Sequence, residues 1–395
     1  MTSLDLEGLG FEEGAHLLLK RALAGMPAGA RLIVRGRDPA LAVHLRAWCR
    51  SHGHRVEWPD VPDGEAVAVV VRGEAGDQRW AGAERAGAPG GVVDRPSPRW
   101  GLAARGALVE AGGPEVDFSL DDRGVVWADV APKLYAQAAA GQWDPATAVD
   151  WAAPRDHPAD VEAAVVQVMT YLVENEQAAL VVPARFLGRI HPHFREVVQL
   201  LAVQVADEAR HVEVFTRRAL MGDGRMGTSG AGGRASLATL VAETDFSQAS
   251  FLLSVLGEGS FLNLLAFLER HAPDAVTRQV SRLALQDEAR HVAFGLAHLE
   301  HQAAADPSLR DRLRAAVERR HDALADTAGL NDEVFDSLVV LAAGSWEPAA
   351  LAEGHRRVQQ LQAEMDEGRQ RRLVRLGFPP EEAAALSALH TRNFM

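Results

Sequence analysis

The sequence is poor in cysteine and in aromatic residues: it has one cysteine, two tyrosines and 6% aromatic residues. With Cys49 alone, an internal disulfide framework and a thiolate metal cluster are excluded, and a reducing compartment is indicated. The acidic N-terminal segment lacks the apolar stretch of a secretory signal. By inspection, no apolar run approaches the ~18 residues of a membrane helix. We therefore expect a soluble, cytoplasmic protein without a membrane partner.

What the chain does contain is enough apolar surface for more than one core. Its 395 residues are 47% apolar, a length and composition that favour two domains. The net charge of −13 is spread along the chain and disfavours nucleic-acid binding.

The first segment alternates the patterns of strands and helices. Strands are predicted at 31–36, 54–58 and 66–72, with helices at 12–26 and 39–51. Asp38 is the predicted N-cap of the second helix. We expect a small α/β domain over residues 1–75 and a Gly-, Pro- and Arg-rich linker or irregular segment over 76–130.

From residue 131 to 395 the pattern is almost wholly helical. Four long helices are predicted at about 158–188, 193–220, 246–271 and 274–302. Two tight turns join them in pairs, and the Gly-rich run 222–233 begins a longer, flexible crossover between the pairs. Two hairpins joined by one long crossover form a ferritin-like four-helix bundle. The fold class is therefore mainly α, with extra C-terminal helices around the bundle and the small α/β domain before it.

The most informative pattern is the pentapeptide Asp-Glu-Ala-Arg-His, which occurs at 207–211 and again at 287–291. Residues three apart share one face of a helix, so Glu208 with His211, and Glu288 with His291, each present two ligand atoms. Two such helices, each paired with a helix that carries one more inward Glu, supply the ligands of a dinuclear iron or manganese site.

An upstream Glu exists in both hairpins. Glu258 lies 30 residues before Glu288, within a helix that is apolar nearly all round. In the first hairpin, alignment on the turn prolines favours Glu176, and Glu174 is the alternative.

Charge supports a metal centre over an ordinary core. Four carboxylates buried together would be strongly destabilising unless two divalent cations neutralised them. Oxygen-rich ligation with one imidazole per ion suits iron or manganese, not structural zinc. Asp207 and Asp287, four residues before the histidines on the same helix, are predicted to accept a proton from a ligating imidazole. Arg210 and Arg290 are predicted to bridge acidic groups or cap the bundle.

On these motifs, residues 158–302 resemble the ferritin-like di-iron carboxylate superfamily, which includes methane monooxygenase hydroxylase, ribonucleotide reductase small subunits, acyl-carrier-protein desaturases and arylamine N-oxygenases. The resemblance implies two iron ions, or a manganese–iron pair. It assigns six ligands: Glu176, Glu208, His211, Glu258, Glu288 and His291. It further implies an O₂-activating oxidase or oxygenase that acts on a small organic substrate and forms a homodimer. The electron donor is not indicated.

Departures from the superfamily's patterns reduce the number of reaction types that we expect for this chain. Phe215 stands where reductase subunits place a radical Tyr, and Ala284 where N-oxygenases place a seventh ligand. Phe261 and Leu262 replace the Thr that many monooxygenases carry one turn after the third-helix Glu. Two other classes stay open: a ferroxidase-like or peroxide-scavenging protein, and a non-enzymatic scaffold.

The N-terminal segment resembles the small sulfur-carrier (TusA/SirA-like) fold, on Leu4-Asp5, Gly8-Leu9 and the runs 19–23, 31–40 and 47–54. Those proteins act through a Cys after the first strand, where this chain has Phe11-Glu12-Glu13-Gly14. Cys49 is not equivalent, and we expect it to pack beside Trp48.

Among lesser candidates, Trp143 and Trp151 are expected to anchor the chain before the first long helix. His191 and His193 are expected to cap a turn.

Overall fold

The computed structural model describes residues 2–59, 66–324 and 332–389. The chain divides into two compact units, Met1–Pro89 with Ala103–Glu115, and Gly90–Leu102 with Val116–Met395. The segment predicted as a linker, 76–130, therefore contributes to both units. The predicted domain boundaries themselves stay a prediction.

The first unit is built on a four-stranded sheet. Its strands are β1 (Thr2–Asp5), β2 (Arg31–Gly36), β3 (Arg55–Glu57) and β4 (Ala66–Val71), and their order in the sheet is β1-β2-β4-β3. β1 is parallel to β2, whereas β4 is antiparallel to both β2 and β3. The helices α1 (Ala15–Ala24) and α2 (Leu41–Ser51) bury Leu19 and Leu23, and Leu41 and Leu45, against this sheet. A short helix α3 (Ala75–Gln78) and the two-residue strands β5 (Glu84–Arg85) and β6 (Leu108–Val109) complete the unit.

Two local predictions for this unit are wrong in detail. The predicted helix 12–26 is divided by Gly14, whose left-handed backbone (φ 107°) separates a 3₁₀ turn at Phe11–Glu13 from α1. The N-cap of α2 is Ala40 and not Asp38. Asp38 instead accepts a hydrogen bond from the Ala40 amide at 3.0 Å, because the chain makes one further turn before the helix begins.

The second unit is helical and holds the four predicted long helices. Its elements are α4 (Arg123–Val126), α5 (Ala131–Ala140), α6 (Ala159–Leu187), α7 (Arg195–Leu220), α8 (Ala231–Ala242), α9 (Phe246–Ser250), α10 (Gly259–His271), α11 (Ala275–Ala305), α12 (Leu309–Leu324), α13 (Asp332–Ala343), α14 (Pro348–Arg375) and α15 (Pro380–Leu389). α6 packs along α7, α10 packs along α11, and α7 contacts α11. The fold class predicted from the sequence is therefore confirmed. The outer helices α13 and α14 pack on α6 and α10.

The third long helix is not a continuous α-helix. Between α9 and α10, residues Phe251–Glu258 form a π-helical segment that is wholly buried. The combined stretch Phe246–His271 has 26 residues and a mean hydropathy of 1.8 in its most apolar window, so it is long and apolar enough to cross a membrane. The expectation that no run approaches this length is wrong. Since 83% of that window is buried inside the protein, the stretch is explained as a core helix.

The glycine-rich crossover is anchored to α6. The Gly227 amide donates to Thr170 Oγ1, and the Thr228 amide donates to Gln167 Oε1, both at 2.8 Å. The last residues of the 222–233 run already belong to α8. The flexible crossover that the composition predicted is therefore held in place by side chains of the first long helix.

Cys49 lies in the core of the first unit, 1% exposed, in the same helix as Trp48. Burial raises the pKa of its thiol to about 11 from the ordinary 9.0. The expected buried packing is confirmed, and the thiolate that reacts with electrophiles is scarce at neutral pH.

We predict that Cys49 reacts with a thiol reagent about a hundredfold more slowly in the native protein than after unfolding. A pKa higher by about two units leaves about a hundredth of the thiolate at pH 8. The rate should rise with pH toward the raised pKa. Because no other cysteine exists, the whole labelling signal reports on this residue. Equal rates in buffer and in denaturant would contradict the burial.

Candidate metal centre

The two repeated motifs face each other in the interior of the bundle. α7 carries Glu208 and His211, α11 carries Glu288 and His291, and each pair is spaced to project from one side of its helix. The four side chains are at most 2% exposed. Apolar positions before and after them keep both helices buried at this level, so the polar groups have no route to bulk water.

Two further glutamates complete the cluster from the neighbouring helices. Glu176 comes from α6 and Glu258 from the end of the π-helical segment, and they are 1% and 2% exposed. Glu174, the alternative considered from the sequence, is half-buried and belongs to neither of the metal-ligating groups described next.

The six residues form two groups that share two members. One consists of Glu176, Glu208, His211 and Glu288; the other consists of Glu208, Glu258, Glu288 and His291. Within each group the available ligand atoms lie within 4.8 Å of one another. Glu208 and Glu288 belong to both groups, which is the arrangement of carboxylates that bridge two ions. Glu176 and Glu258 are each confined to one group, as terminal ligands would be.

Both imidazoles turn the same nitrogen toward this cluster. His211 Nδ1 lies 3.1 Å from Glu208 Oε2 and 3.6 Å from Glu176 Oε2. His291 Nδ1 lies 3.0 Å from Glu208 Oε1 and 3.3 Å from Glu288 Oε2. The Nδ1 atoms are therefore the nitrogens placed to bind metal.

The carboxylates carry more acceptor capacity than the protein uses. Glu176 Oε1 and Glu258 Oε2 are buried and have no hydrogen-bond partner among the described residues. The second oxygen of Glu258 accepts from Gln204 Nε2 at 3.3 Å. Buried carboxylate oxygens without partners are costly unless something else occupies their lone pairs. Two divalent cations fit this need in both number and charge.

The pKa values of Glu176 and Glu258 also show that the buried carboxylates lack compensating charge. Burial raises the pKa of Glu176 well above its ordinary value, and the charges of Glu208 and Glu288 raise it further. Burial does the same to the pKa of Glu258, with Glu288 adding to it. Burial opposes the ionisation of Glu208 as well, yet the two imidazoles hold its pKa below the ordinary range. Without cations, the cluster favours protons on its terminal carboxylates.

The aspartates of the two motifs hold the histidines crosswise. His211 Nε2 donates to Asp287 Oδ2 at 3.2 Å, and His291 Nε2 donates to Asp207 Oδ2 at 3.2 Å. The sequence placed each aspartate on the same helix face as the histidine four residues later, but the structure pairs it with the histidine of the opposite helix. Each bond fixes the proton on Nε2 and leaves Nδ1 free for metal.

Arginines surround this aspartate pair, as predicted. Arg210 lies 3.3 Å from Asp287 and also contacts Asp207; Arg290 lies 3.3 Å from Asp207 and also contacts Asp287. Burial alone would raise the pKa of both aspartates, but the hydrogen bonds from His291 and His211 and, for Asp287, one from Arg290 keep it below the ordinary value. The aspartates thus stay ionised as acceptors for the imidazoles.

Two residues of this outer layer were not recognised from the sequence. Trp143 Nε1 donates to Asp287 Oδ2 at 2.8 Å. The Trp143 ring is stacked on the His211 ring, with centroids 6.4 Å apart, and the Arg210 guanidinium carbon lies 5.0 Å from the Trp143 ring centroid. Gln142 Nε2 donates to Asp207 Oδ1 at 3.0 Å. Their only signal in the sequence is their position just before the first long helix, so Trp143 does more than anchor the chain. Trp151 fits the anchoring role, since its Nε1 donates to Pro145 O at 2.8 Å.

Of the positions that distinguish this chain from other reaction types, Phe215, Ala284 and Phe261 are buried and Leu262 is half-buried. The ring centroids of Phe215 and His211 are 6.2 Å apart, and Ala284 and Phe261 lie in the same apolar cluster as Phe215. A hydroxyl is present on the other side of the third-helix Glu: Ser254, four residues before Glu258, weakly opposes the rise in the pKa of Glu258 that burial causes. Gly295 of α11 makes room for this serine, because a Cβ there would lie 2.4 Å from Ser254 Cβ.

A small cavity lies beside Gln204, which donates to Glu258. Its volume is about 20 Å³, room for about one water-sized molecule. Gln204 and Ser254, the two polar groups that bind Glu258, form part of its wall. The rest is mainly apolar: Val182, Pro183, Phe186, Leu201, Phe246, Leu253 and Phe294, with Ser250.

The histidines of the α6–α7 turn play a structural role. His191 is the N-cap of the 3₁₀ turn Pro192–Phe194 and accepts from the His193 amide at 3.0 Å. His193 Nε2 accepts from the Val93 amide at 3.0 Å. The predicted turn capping is confirmed for His191, whereas His193 instead accepts from a distant segment of the chain.

Comparison with known proteins gives similarity to solved structures alone, since no family model and no curated protein matches this chain. One similar structure is an R2-like ligand-binding oxidase with an aerobically reconstituted Mn/Fe cofactor: 19% identity, 65% of this chain, 93% of that chain and a TM-score of 0.41. Another is the phenol hydroxylase of Pseudomonas sp. OX1: 13% identity, 63% of this chain, 80% of that chain and a TM-score of 0.42. Likenesses of this size say nothing about the activity of this chain.

We predict that Asp287→Asn weakens metal binding by about 10- to 100-fold, the usual effect of losing a carboxylate that orients a metal-bound histidine. The change replaces the charged acceptor of His211 by a neutral amide and should affect the ion on the Glu176 side first. Metal affinity can be measured by competition with a chromogenic chelator. Asp160→Asn, an exposed change at the start of α6, is the matched control and should have no effect. Unchanged affinity in Asp287→Asn would refute the role assigned to the crosswise pair.

Proposed function

We propose that this protein is a non-haem di-iron oxidase or oxygenase that uses O₂ to oxidise a small organic substrate. The observation that carries the proposal is the pair of buried Glu/His groups with Glu208 and Glu288 in common. Glu208 and Glu288 would be shared by two ions, and the charges of the four glutamates would balance two divalent cations. A mononuclear or purely structural site has no use for this arrangement.

The donor set supports iron, or a manganese–iron pair. Each ion would meet carboxylate oxygens and one imidazole, a combination that suits iron and manganese, whereas structural zinc sites are closed tetrahedra rich in thiolate or imidazole. When bound, such a pair supplies redox and Lewis-acid chemistry to O₂.

The protein's own residues have three tasks in this proposal. Asp207 and Asp287 hold the protons on the Nε2 atoms, so that both imidazoles bind metal through Nδ1. Gln204 and Ser254 orient Glu258 by hydrogen bonds. The apolar surroundings, Phe215 and Phe261 among them, exclude bulk water.

The cavity beside Glu258 supports a small and largely apolar ligand. At about 20 Å³ it fits O₂ or a group of similar size, and an organic substrate would need its wall to open. Its two polar positions, Gln204 and Ser254, are also the groups that bind Glu258. A ligand in the cavity would therefore lie next to residues that contact a proposed metal ligand.

For the first unit we infer a sulfur-carrier-like fold that carries no persulfide chemistry. This rests on the resemblance, on the 3₁₀ turn at Phe11–Glu13 where the family has its cysteine, and on the burial of Cys49. The slow labelling predicted for Cys49 is the test, and rapid labelling of the native thiol would contradict the inference.

We predict about two iron ions per chain after anaerobic loading, and a loss of at least one in Glu258→Ala. The variant removes a terminal ligand and leaves one ion without sufficient donors. Elemental analysis of purified protein measures the stoichiometry. Glu176→Ala and Glu174→Ala form a matched pair on α6: the former should lose metal and the latter should not. Fewer than about one ion per wild-type chain would refute the dinuclear centre.

Oxygen consumption separates the proposed enzyme from a ferroxidase. We predict that the reduced, iron-loaded protein consumes O₂ without oxidising Fe²⁺ added beyond its two resident ions, because those ions are held by fixed ligands in a closed core. An oxygen electrode and a ferrous-iron assay follow both quantities. Catalytic oxidation of a large excess of Fe²⁺ would favour the ferroxidase instead.

A further inference from the structure

A second pocket lies between α10 and α14, on residues that take no part in the metal cluster. Its volume is about 410 Å³, within the range of small-molecule sites. Three arginines and two glycines mark its wall, which includes Gly259, Asn263, Gly368, Arg371, Arg372 and Arg375.

Arg372 is a half-buried cation without an acidic partner among the residues that the structure describes. Its Nε donates to the Val255 carbonyl at 2.6 Å, and its Nη2 is buried with no hydrogen-bond partner among the described residues. Burial lowers the pKa of its guanidinium to about 10, and the positive charges of Arg369 and Arg371 contribute to the decrease. The group is still protonated at neutral pH, so its charge needs compensation.

The three neighbouring arginines each lie near a carboxylate, whereas none of the described carboxylates pairs with Arg372. Arg375 Nη2 lies 2.9 Å from Glu300. Arg369 Nη2 lies 3.6 Å from Asp366, and Arg371 Nη1 lies 3.5 Å from Glu367 in a loose, exposed pair. In a chain with a net charge of −13, an unpaired buried cation beside a cavity is unexpected.

Both glycines make room for this guanidinium. A Cβ at Gly259 would lie 2.4 Å from Arg372 Nε, and a Cβ at Gly368 would lie 3.1 Å from its Nη1. Glycine is unfavourable inside a helix, so two glycines on facing helices at one spot indicate that space is required there. The position of Arg372 is therefore built into both helices.

We propose that this pocket binds the oxyanion of a small molecule, a carboxylate or a phosphate, with Arg372 as its main contact and Arg371 at its rim. A guanidinium has five N–H donors in a planar fork that matches the oxygens of both anions. Nε is occupied by Val255 and Nη2 is enclosed by the protein, so Nη1 makes the first contact with the ligand. The anion would supply the charge that the protein does not.

The site is in direct contact with the helix that carries a proposed metal ligand. The Val255 carbonyl, which accepts from Arg372 Nε, lies three residues before Glu258, and Gly259 lies directly after Glu258. A ligand bound here would lie against the segment in which the π-helix ends and α10 begins. This placement suits an anionic effector or the charged end of a substrate.

Isothermal titration calorimetry of the metal-loaded, full-length protein tests the proposal, with inorganic phosphate and acetate as separate probes. We expect saturable binding of at least one probe and an at least tenfold loss of its affinity in Arg372→Ala. Phosphate binding alone would identify a phosphate site, and acetate binding alone a carboxylate site. Arg356→Ala is the matched control, because it removes the same charge from an exposed position of α14 and should leave the affinity unchanged.

A second variant guards against misfolding of Arg372→Ala. Asn263→Asp keeps Arg372 and its bond to Val255 but places a carboxylate of nearly the same shape in the pocket wall, and it should also weaken binding at least tenfold. Since the metal centre could itself bind either probe, the comparison between variants of equal metal content is decisive. The proposal is overturned if neither probe binds, if Asn263→Asp binds as tightly as the wild type, or if Arg356→Ala loses as much affinity as Arg372→Ala.

Discussion

The structure of the helical unit depends on one electrostatic constraint: four carboxylates and two imidazoles are packed together in the buried interior of the bundle. Burial favours the neutral form of each carboxylate, and the carboxylates oppose one another's ionisation, as the raised pKa of Glu176 and Glu258 shows. Such a cluster is stable only with compensating charge. Protons or imidazolium groups can supply part of it, but they leave Glu176 Oε1 and Glu258 Oε2 without partners. Two divalent ions satisfy the charge and the lone pairs together, which is why a dinuclear centre explains the core better than any arrangement of protons.

The contacts that orient the two histidines follow from the repeated Asp-Glu-Ala-Arg-His motif. Because Asp207 accepts from His291 and Asp287 accepts from His211, each copy of the motif completes the other copy's ligand. Neither helix could form its half of the site alone. The arginines of the same motifs neutralise the aspartates in the same crosswise manner, so α7 and α11 are held together at this level by reciprocal ionic contacts instead of apolar packing. Truncating one partner of such a buried network leaves its charge uncompensated, which makes the exact register of the two helices important.

Much of this was predictable because helical periodicity and motif spacing are local properties. The long helices, the pairing of Glu208 with His211 and the choice of Glu176 over Glu174 all follow from positions along the chain. The contributions of Gln142 and Trp143 could not be predicted, since they reach the aspartates from a loop whose path depends on tertiary packing. The same holds for the crosswise pairing, which depends on the rotation of two helices about their axes. The superfamily pattern predicts a hydroxyl one turn after Glu258, but the hydroxyl lies four residues before it, at Ser254. Ser254 belongs to a π-helical segment that the composition does not predict.

That π-helical segment explains how the outer helices influence the core. Where pairing changes from i→i+5 to i→i+4, one carbonyl of the last wide turn is left without an amide donor. The change occurs at Gly259, and Arg372 of α14 donates to the nearby Val255 carbonyl, while Ser260 Oγ donates to Leu256 O at 2.8 Å. Side chains thus take over hydrogen bonds that a regular helix would make for itself. The position of Glu258, which ends the π-helical segment, therefore depends on a helix outside the four-helix bundle. Arg372 of α14 is accordingly part of what holds the third-helix ligand in place.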